Sequence, residues 1–426
     1  MSPPFCARRA RPFQAALLCA TFPFLLLAEA AQAQGITLAD ALSRVALGDP
    51  SVAVNAAQLQ ISHAAIRQAE VRPRDVVGVD VEDFAGSGPY SPVSRTQATA
   101  WYERTWERGG KRQARIDAGR ADADVTAQRG RLRMLDLLAE VQSAWVEALA
   151  AEAAIGIAAQ QLADARRVQA EVDRRTARAL DPAFAAERAR TTVAQAGIAL
   201  DQAREGARIA RTHLAGYWGG GEDYRLDTSP FNATTKDASA GEQVPDVSLL
   251  SATLDAADVR IRLAESGNVA DPSARIGVRH FGDGNDVALM VGGSIPLGSR
   301  SANRANIDRA RAERLAAEAE LAVTRVESTR EINRLTAERA AIATEVARID
   351  REVLPSAERA VTLVESGFRR GGTAFTFLEV SQTQQAAIGA RARRIELLRR
   401  YHLSGARLDR LTGRHTPLLS SAEIRQ

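Results

Sequence analysis

Two kinds of pattern alternate along this chain: short stretches in which apolar and polar residues swap at every position, and long ones in which apolar residues recur every three or four. In residues 74–85, Val77, Val79 and Val81 fall on one side and Gly78, Asp80 and Glu82 on the other. In residues 97–107, Ala98, Ala100, Tyr102 and Trp106 share a face that Arg104 interrupts. Further on, Ile276 and Val278 oppose Arg275 and Arg279, and Val287, Leu289, Val291 and Ile295 oppose Asp286, Gly292 and Ser294. Successive side chains of a strand point to opposite faces, so a period of two predicts four strands. They pair as two hairpins, one closed by the long loop Gly86-Ser-Gly-Pro-Tyr-Ser-Pro92 and one by the tight turn Gly282-Asp-Gly-Asn285. Apolar outside and polar inside over about ten residues is the pattern of an outer-membrane strand.

The long stretches predict helices. No proline occurs from Lys111 to Arg178, a run that reaches about 100 Å at ~1.5 Å per residue. Met134, Leu138, Val141, Trp145 and Ala148 form a heptad-like seam, which continues through Ala151, Ile155, Ala158 and Leu162 after a phase slip. Residues 300–353 and 376–412 read the same way. The first reversal falls at Ala179-Leu180-Asp181-Pro182, with Asp181 as cap and Pro182 opening the returning helix. The second falls at Arg369-Arg-Gly-Gly-Thr373, with Thr373 as cap, and Pro355 marks a break before it.

The chain repeats itself. Pro73-Arg-Asp-Val-Val-Gly-Val79 returns as Pro272-Ser-Ala-Arg-Ile-Gly-Val278, and Ile116-Asp-Ala-Gly-Arg-Ala121 as Ile307-Asp-Arg-Ala-Arg-Ala312, at an offset of about 190–200 residues. The organisation expected is a leader over 1–33, a first repeat over 34–218 (strand hairpin 74–107, helical hairpin 111–218), a connector over 219–244, a second repeat over 245–413 (strand hairpin 273–296, helical hairpin 300–413) and a tail over 414–426. Four strands cannot close a barrel alone, and the long helices cannot bury themselves alone, so an assembly is implied.

Arg8, Arg9 and Arg11, the apolar stretch Phe13–Ala28 and Ala31-Gln32-Ala33 read as a Sec-type export signal cleaved before Gln34. Leu18 before Cys19 is a poor lipidation context. Both cysteines, Cys6 and Cys19, leave with the leader, and with them disulfides, thiolate metal sites and cysteine nucleophiles. The formal charge of +4 falls to +2 once the leader's three arginines and one glutamate are removed. The remaining arginines are interleaved with acids along helices, the mark of an ion-paired surface rather than a nucleic-acid partner. No later segment is apolar for long enough to form a transmembrane helix.

At this point the chain resembles the TolC-type outer-membrane efflux proteins, and among them the CzcC-like branch of heavy-metal resistance systems. The residues that carry the resemblance are Val81-Glu-Asp-Phe-Ala-Gly-Ser-Gly-Pro-Tyr90, Glu107-Arg-Gly-Gly-Lys-Arg112, Gly372-Thr-Ala-Phe-Thr-Phe-Leu-Glu-Val380 and Leu408-Asp-Arg-Leu-Thr-Gly413. The resemblance implies a mainly α chain with a small β part. Three copies would form an α-barrel of antiparallel helical hairpins and give four strands each to a 12-stranded transmembrane β-barrel in outer-membrane lipid. It also implies a periplasmic adaptor (a membrane fusion protein) and an inner-membrane pump of the resistance-nodulation-division (RND) type. The tips Arg178, Ala179, Leu180, Asp181, Arg369, Arg370, Gly371, Gly372 and Thr373 would meet the adaptor, and Glu379 would narrow the periplasmic end.

Asp80, Glu82, Arg275 and Arg279 are candidate lumen residues, and Phe84, Trp101, Tyr102, Trp106 and Phe281 candidate interfacial aromatics. Asp80, Glu82 and Asp83 with His280 offer oxygen and nitrogen ligands, but polar lumen residues account for them without a metal. The glycines of the first loop lack the lysine and helix start of a phosphate loop, and no serine sits in a nucleophile elbow. The expectation is a passive conduit with no catalysis and no cofactor. Its cargo is heavy-metal cations in the leading reading and drugs or a type I secreted protein in the alternative. A periplasmic coiled-coil adaptor is the rival class, although one hairpin flanked by compact β domains is the usual plan there.

Overall fold

The computed structural model describes residues 35–90, 93–221, 224–234, 244–284, 286–370 and 375–423. The leader over 1–33 and the tip residues Gly371, Gly372 and Thr373 lie outside the described residues.

The first repeat opens with two helices, α1 (Leu38–Gly48) and α2 (Pro50–Ala69). Asp49 splits them, its carboxylate accepting from the Ser51 N–H at 2.7 Å, with Pro50 as first helical residue. Strands β1 (Val76–Glu82) and β2 (Gln97–Thr105) follow, then α3 (Lys111–Ala177) and α4 (Ala183–Gly216). The second repeat runs α5 (Pro245–Ser266), β3 (Ser273–Phe281), β4 (Val287–Ser294), α6 (Ser299–Arg348), α7 (Leu354–Arg369) and α8 (Phe377–Leu411), and α9 (Thr416–Glu423) occupies the tail. Between α6 and α7 the chain widens into a single π-helical stretch, Ile349–Val353, just ahead of Pro355. Proline lacks an N–H and crowds the carbonyl four residues back, and a widened turn absorbs both without ending the helix.

The 67 residues of α3 form the spine. Its seam residues Met134, Leu138, Val141, Trp145 and Ala148 are buried together, and Ala158 and Leu162 after them. Around the seam's midpoint α1, α6, α8 and α9 close the largest apolar cluster, with Phe231 of the connector and Leu419 of α9 as outlying anchors. A second cluster near the far end joins Val168, Val172 and Ala189 to Phe368 and Val380. Many seam positions are alanine, which lets the helices approach closely.

The four strands form one antiparallel sheet in the order β1-β2-β3-β4. Two hairpins far apart in sequence thus join through β2 and β3, with Ala100 opposite Val278. Both outer strands, β1 and β4, lack a further strand partner among the described residues. One face carries Val79, Ala100, Val278 and Leu289 in register, and the other Asp80, Thr99, Arg279 and Ala288. The apolar face is bare: Val77 is 77% exposed, Val291 84% and Leu289 86%. No described helix is long and apolar enough to cross a membrane.

Candidate functional site

Every residue expected to line a lumen lies on the polar face of the sheet, and the cross-strand register brings them into two ion-paired groups. Arg275 reaches Glu103 at 2.8 Å and Asp80 at 3.9 Å. Arg279 pairs with Glu82 at 2.8 Å and donates to Thr99 Oγ1 at 2.8 Å and Gln97 Oε1 at 3.1 Å. Glu103, Thr99 and Gln97 were not singled out from the sequence, although the same alternation that selects Asp80 puts all three on this face.

The aromatics divide differently from expectation. Trp101 stands on the polar face, where the Arg275 guanidinium stacks 3.8 Å from its ring centroid. Its indole lies over Gly78 so closely that a Cβ there would come within 2.3 Å of the ring. Glycine is what lets the ring lie flat. Phe281 shares the parity of Arg275 and Arg279 and therefore also the polar face. Tyr102 is on the apolar face, its hydroxyl donating to Asp75 at 2.6 Å, and the Arg104 guanidinium sits 5.9 Å from the Trp106 ring centroid. Phe84 is exposed in the loop beyond β1. His280 has the parity of Ile276 and Val278, so its side chain is on the opposite face from Asp80 and Glu82. Among the described residues no group of three or more His, Cys, Asp or Glu is placed to hold a metal.

At the helix-side end of the sheet the chain turns through Gly109 and Gly110, at φ of 70° and 72°, a left-handed pair that glycine adopts without penalty. Asp271 ties this turn to the second hairpin, accepting from the Arg108 N–H at 2.9 Å and from Lys111 Nζ at 2.6 Å. Burial opposes ionisation of Asp271, but these donors outweigh it and hold its carboxyl below the usual carboxylate range. Arg115 joins Glu107 to the Val71 carbonyl at the end of α2.

At the opposite end lie the tips. The first is a Schellman turn: Leu180 N–H reaches the Arg175 carbonyl at 2.9 Å and Ala179 N–H the Thr176 carbonyl at 2.9 Å. Ala179 sits at φ 56°, a left-handed position that favours glycine. Asp181 does not cap α4. Its carboxylate is drawn back to Arg175, at 2.8 and 3.1 Å, and Pro182 becomes the N-cap position, so that α4 starts at Ala183. Arg175 also donates to the Phe368 carbonyl at 2.8 Å, linking the two tips. In the second tip the cap of α8 is Thr376 rather than Thr373. Glu379 completes a capping box there, accepting from the Thr376 N–H at 2.6 Å and hydroxyl at 3.0 Å. Leu180, Arg369 and Arg370 are exposed.

A family model described as outer membrane efflux protein matches residues 273–414. The cobalt-zinc-cadmium resistance protein CzcC of Cupriavidus metallidurans is 27% identical over 395 residues, covering 89% of this chain and 90% of its own. The nickel-cobalt-cadmium resistance protein NccC of Alcaligenes xylosoxydans is 29% identical over 295 residues, covering 66% and 64%. In fold, the chain matches the outer membrane protein VceC of Vibrio cholerae with a TM-score of 0.70, over 88% of this chain and 96% of that one at 18% identity. The resemblance read from the motifs recurs in these comparisons: the chain is similar to outer-membrane efflux proteins, CzcC and NccC among them, and shares the fold of VceC.

Proposed function

We propose that this protein belongs to the TolC-like outer-membrane efflux proteins and acts as the passive exit duct of a tripartite system for heavy-metal cations. The observation that carries the proposal is a four-stranded sheet with two edges unpaired among the described residues, an uncovered apolar face and an ion-paired polar face. A strand edge in lipid leaves backbone groups without partners, so only closure with further copies satisfies it. Three copies, each giving four strands, close a 12-stranded barrel with the polar face inward. The apolar face meets lipid directly.

In this reading Asp80, Glu82, Arg275 and Arg279 line the lumen, and Tyr102, Trp106 and Phe84 mark the membrane interfaces. The helices extend into the periplasm after cleavage of the signal near Ala33 and Gln34. The tips, Arg178 to Asp181 and Arg369 to Thr373, meet a periplasmic adaptor, which joins the duct to an RND-type inner-membrane pump that supplies the energy. Glu379 stands beside the second tip as the acidic residue of the periplasmic entrance. The cargo follows from the curated relatives, whose names are those of cobalt, zinc, cadmium and nickel resistance.

Fractionation followed by mass determination of the detergent-extracted complex tests the assembly. A heat-modifiable outer-membrane trimer is expected, and a soluble monomer or dimer ends the barrel reading. Deletion should sensitise cells to one or more of these divalent metals. Sensitivity to dyes or antibiotics alone would overturn the cargo assignment.

A further inference from the structure

We propose that exposed arginines ringing the helix-side end of the sheet form a collar for the headgroups of anionic phospholipid in the adjoining bilayer leaflet. The proposal rests on the sheet crossing a membrane and adds which lipid the duct selects, and with which residues. Arg72 and Arg74 precede β1, Arg108 and Arg112 follow β2, and Arg300 and Arg304 follow β4; all six are exposed. Strand register sets these ends at one level, with Thr105 opposite Ser273 and Ser273 opposite Ser294.

The acids at this level are already engaged or too few. Asp271 is held by Lys111 and Glu107 by Arg115. Asp75 takes the Tyr102 hydroxyl and faces Arg104 at 4.0 Å, which leaves Glu70. None of the six arginines has an ion pair among the described residues. Over residues 70–75, 104–115, 267–273 and 295–304 there are nine cationic side chains and four acidic ones. A neighbouring copy brings the same surplus to the same level, so no symmetric closure of copies neutralises it. The counter-charge must come from another molecule.

The chemistry of that molecule follows from what borders the collar on the sheet side. Trp106, Ile295 and Leu297 are 44%, 66% and 93% exposed, and they continue the bare apolar face towards the arginines. Apolar band, aromatic, then arginine is the profile of a bilayer edge: hydrocarbon, interface, phosphate. A long arginine side chain lays its stem on apolar surface while its head stays polar, and its planar fork matches a phosphate. An anionic headgroup with an acyl chain meets both demands at once, and anionic lipid attracts clustered arginine near a membrane surface.

The test uses the mature protein with Arg108, Arg112, Arg300 and Arg304 each changed to glutamine. Protein is reconstituted in phosphatidylcholine alone and in phosphatidylcholine mixed with phosphatidylglycerol, and retained lipid is read by native mass spectrometry after mild extraction. The unaltered protein should retain phosphatidylglycerol over phosphatidylcholine by at least about tenfold, a preference the glutamine variant loses. A matching lysine variant should keep most of it. Equal retention of the two lipids by the unaltered protein, or an unchanged preference in the glutamine variant, refutes the collar. Loss of the preference on adding inorganic phosphate would assign the site to a free anion and refute the lipid. Heat-modifiable migration in pure phosphatidylcholine checks the barrel separately: its presence without lipid preference sinks only the collar, and its absence from both mixtures sinks the barrel with it.

Discussion

Arg175 on α3 donates to the main-chain carbonyl of Phe368 at the end of α7 at 2.8 Å, and its guanidinium lies 4.4 Å from the Phe368 ring centroid. With Asp181 held on the same guanidinium, one nearly buried side chain fastens the turn of the first helical hairpin to the last turn before the second. Arg175→Ala leaves a largely buried carboxylate and a carbonyl without partners, a local cost of about 2–3 kcal/mol. Hydrogen exchange should show faster opening at residues 176–182 and 364–370 with the sheet unaffected. Unchanged protection at both tips would show that apolar packing alone holds them.

The left-handed conformation of Ala179 costs about 1–2 kcal/mol for a residue with a Cβ. Part of that returns through the greater entropy of glycine in the unfolded chain. Ala179→Gly should therefore slow opening of the first tip by a factor worth about 0.5–1 kcal/mol. A faster-opening tip would mean that the turn does not hold this conformation in solution.

Gly78 and Trp101 form a matched pair of empty and filled space. Gly78→Val puts side-chain atoms where the indole lies, and overpacking of this kind costs about 1–3 kcal/mol. Heat-modifiable migration should shift to lower temperature. Adding Trp101→Ala to Gly78→Val should restore part of the loss, a coupling that a double-mutant cycle measures. Additive losses would separate the two residues.

Arg279 gathers Glu82, Thr99 and Gln97 on the polar face. Arg279→Gln removes a positive charge and leaves Glu82 without its ion pair, so the face proposed to line the duct becomes more negative. In planar bilayers the ratio of cation to anion permeability should rise. An unchanged ratio would place this face away from the conduction path.

His402 is half-buried beside Phe231, its Nε2–H donating to the Phe231 carbonyl at 2.9 Å. Burial pushes its pKa down from 6.5, against the opposing effect of that hydrogen bond. His415, also half-buried, shifts the same way although Asp409 works against it. Because the unfolded chain binds these protons more readily, the neutral rings contribute stability that is fully present above pH 6.5 and declines as the pH falls through that value. Unfolding followed between pH 7.5 and 5.5 should show falling stability, with a shallower slope in His402→Gln and shallower still with His415→Gln added. An unchanged slope in the double variant would assign the loss to other groups.

Strand spans, the long helices and the seam from Met134 to Ala148 were legible because each depends on residues a few positions apart. The two reversals were legible too, as breaks in that periodicity, but their chemistry was not. Asp181 is a good cap by type, and what drew it away is Arg175, whose second partner is almost two hundred residues distant. Thr376 won the cap of α8 because Glu379 stands three residues on, a capping-box spacing that was open to reading. Trp101 was grouped with the interfacial aromatics on composition, although its parity with Gly78 and Arg275 decides its face.

What the sequence determined by itself is therefore everything that runs along the chain: which segments are strand or helix, which face of each is apolar, where the repeat begins again and which family it resembles. Only the tertiary structure decided what crosses between segments. It joined β2 to β3 and so made one sheet of two hairpins, stacked Arg275 on Trp101, fastened the tips through Arg175 and gathered uncompensated arginines at one level. Periodicity is a short-range consequence of backbone geometry. Partner choice depends on which distant surfaces pack together, and many pairings of equal local quality are written in the same residues.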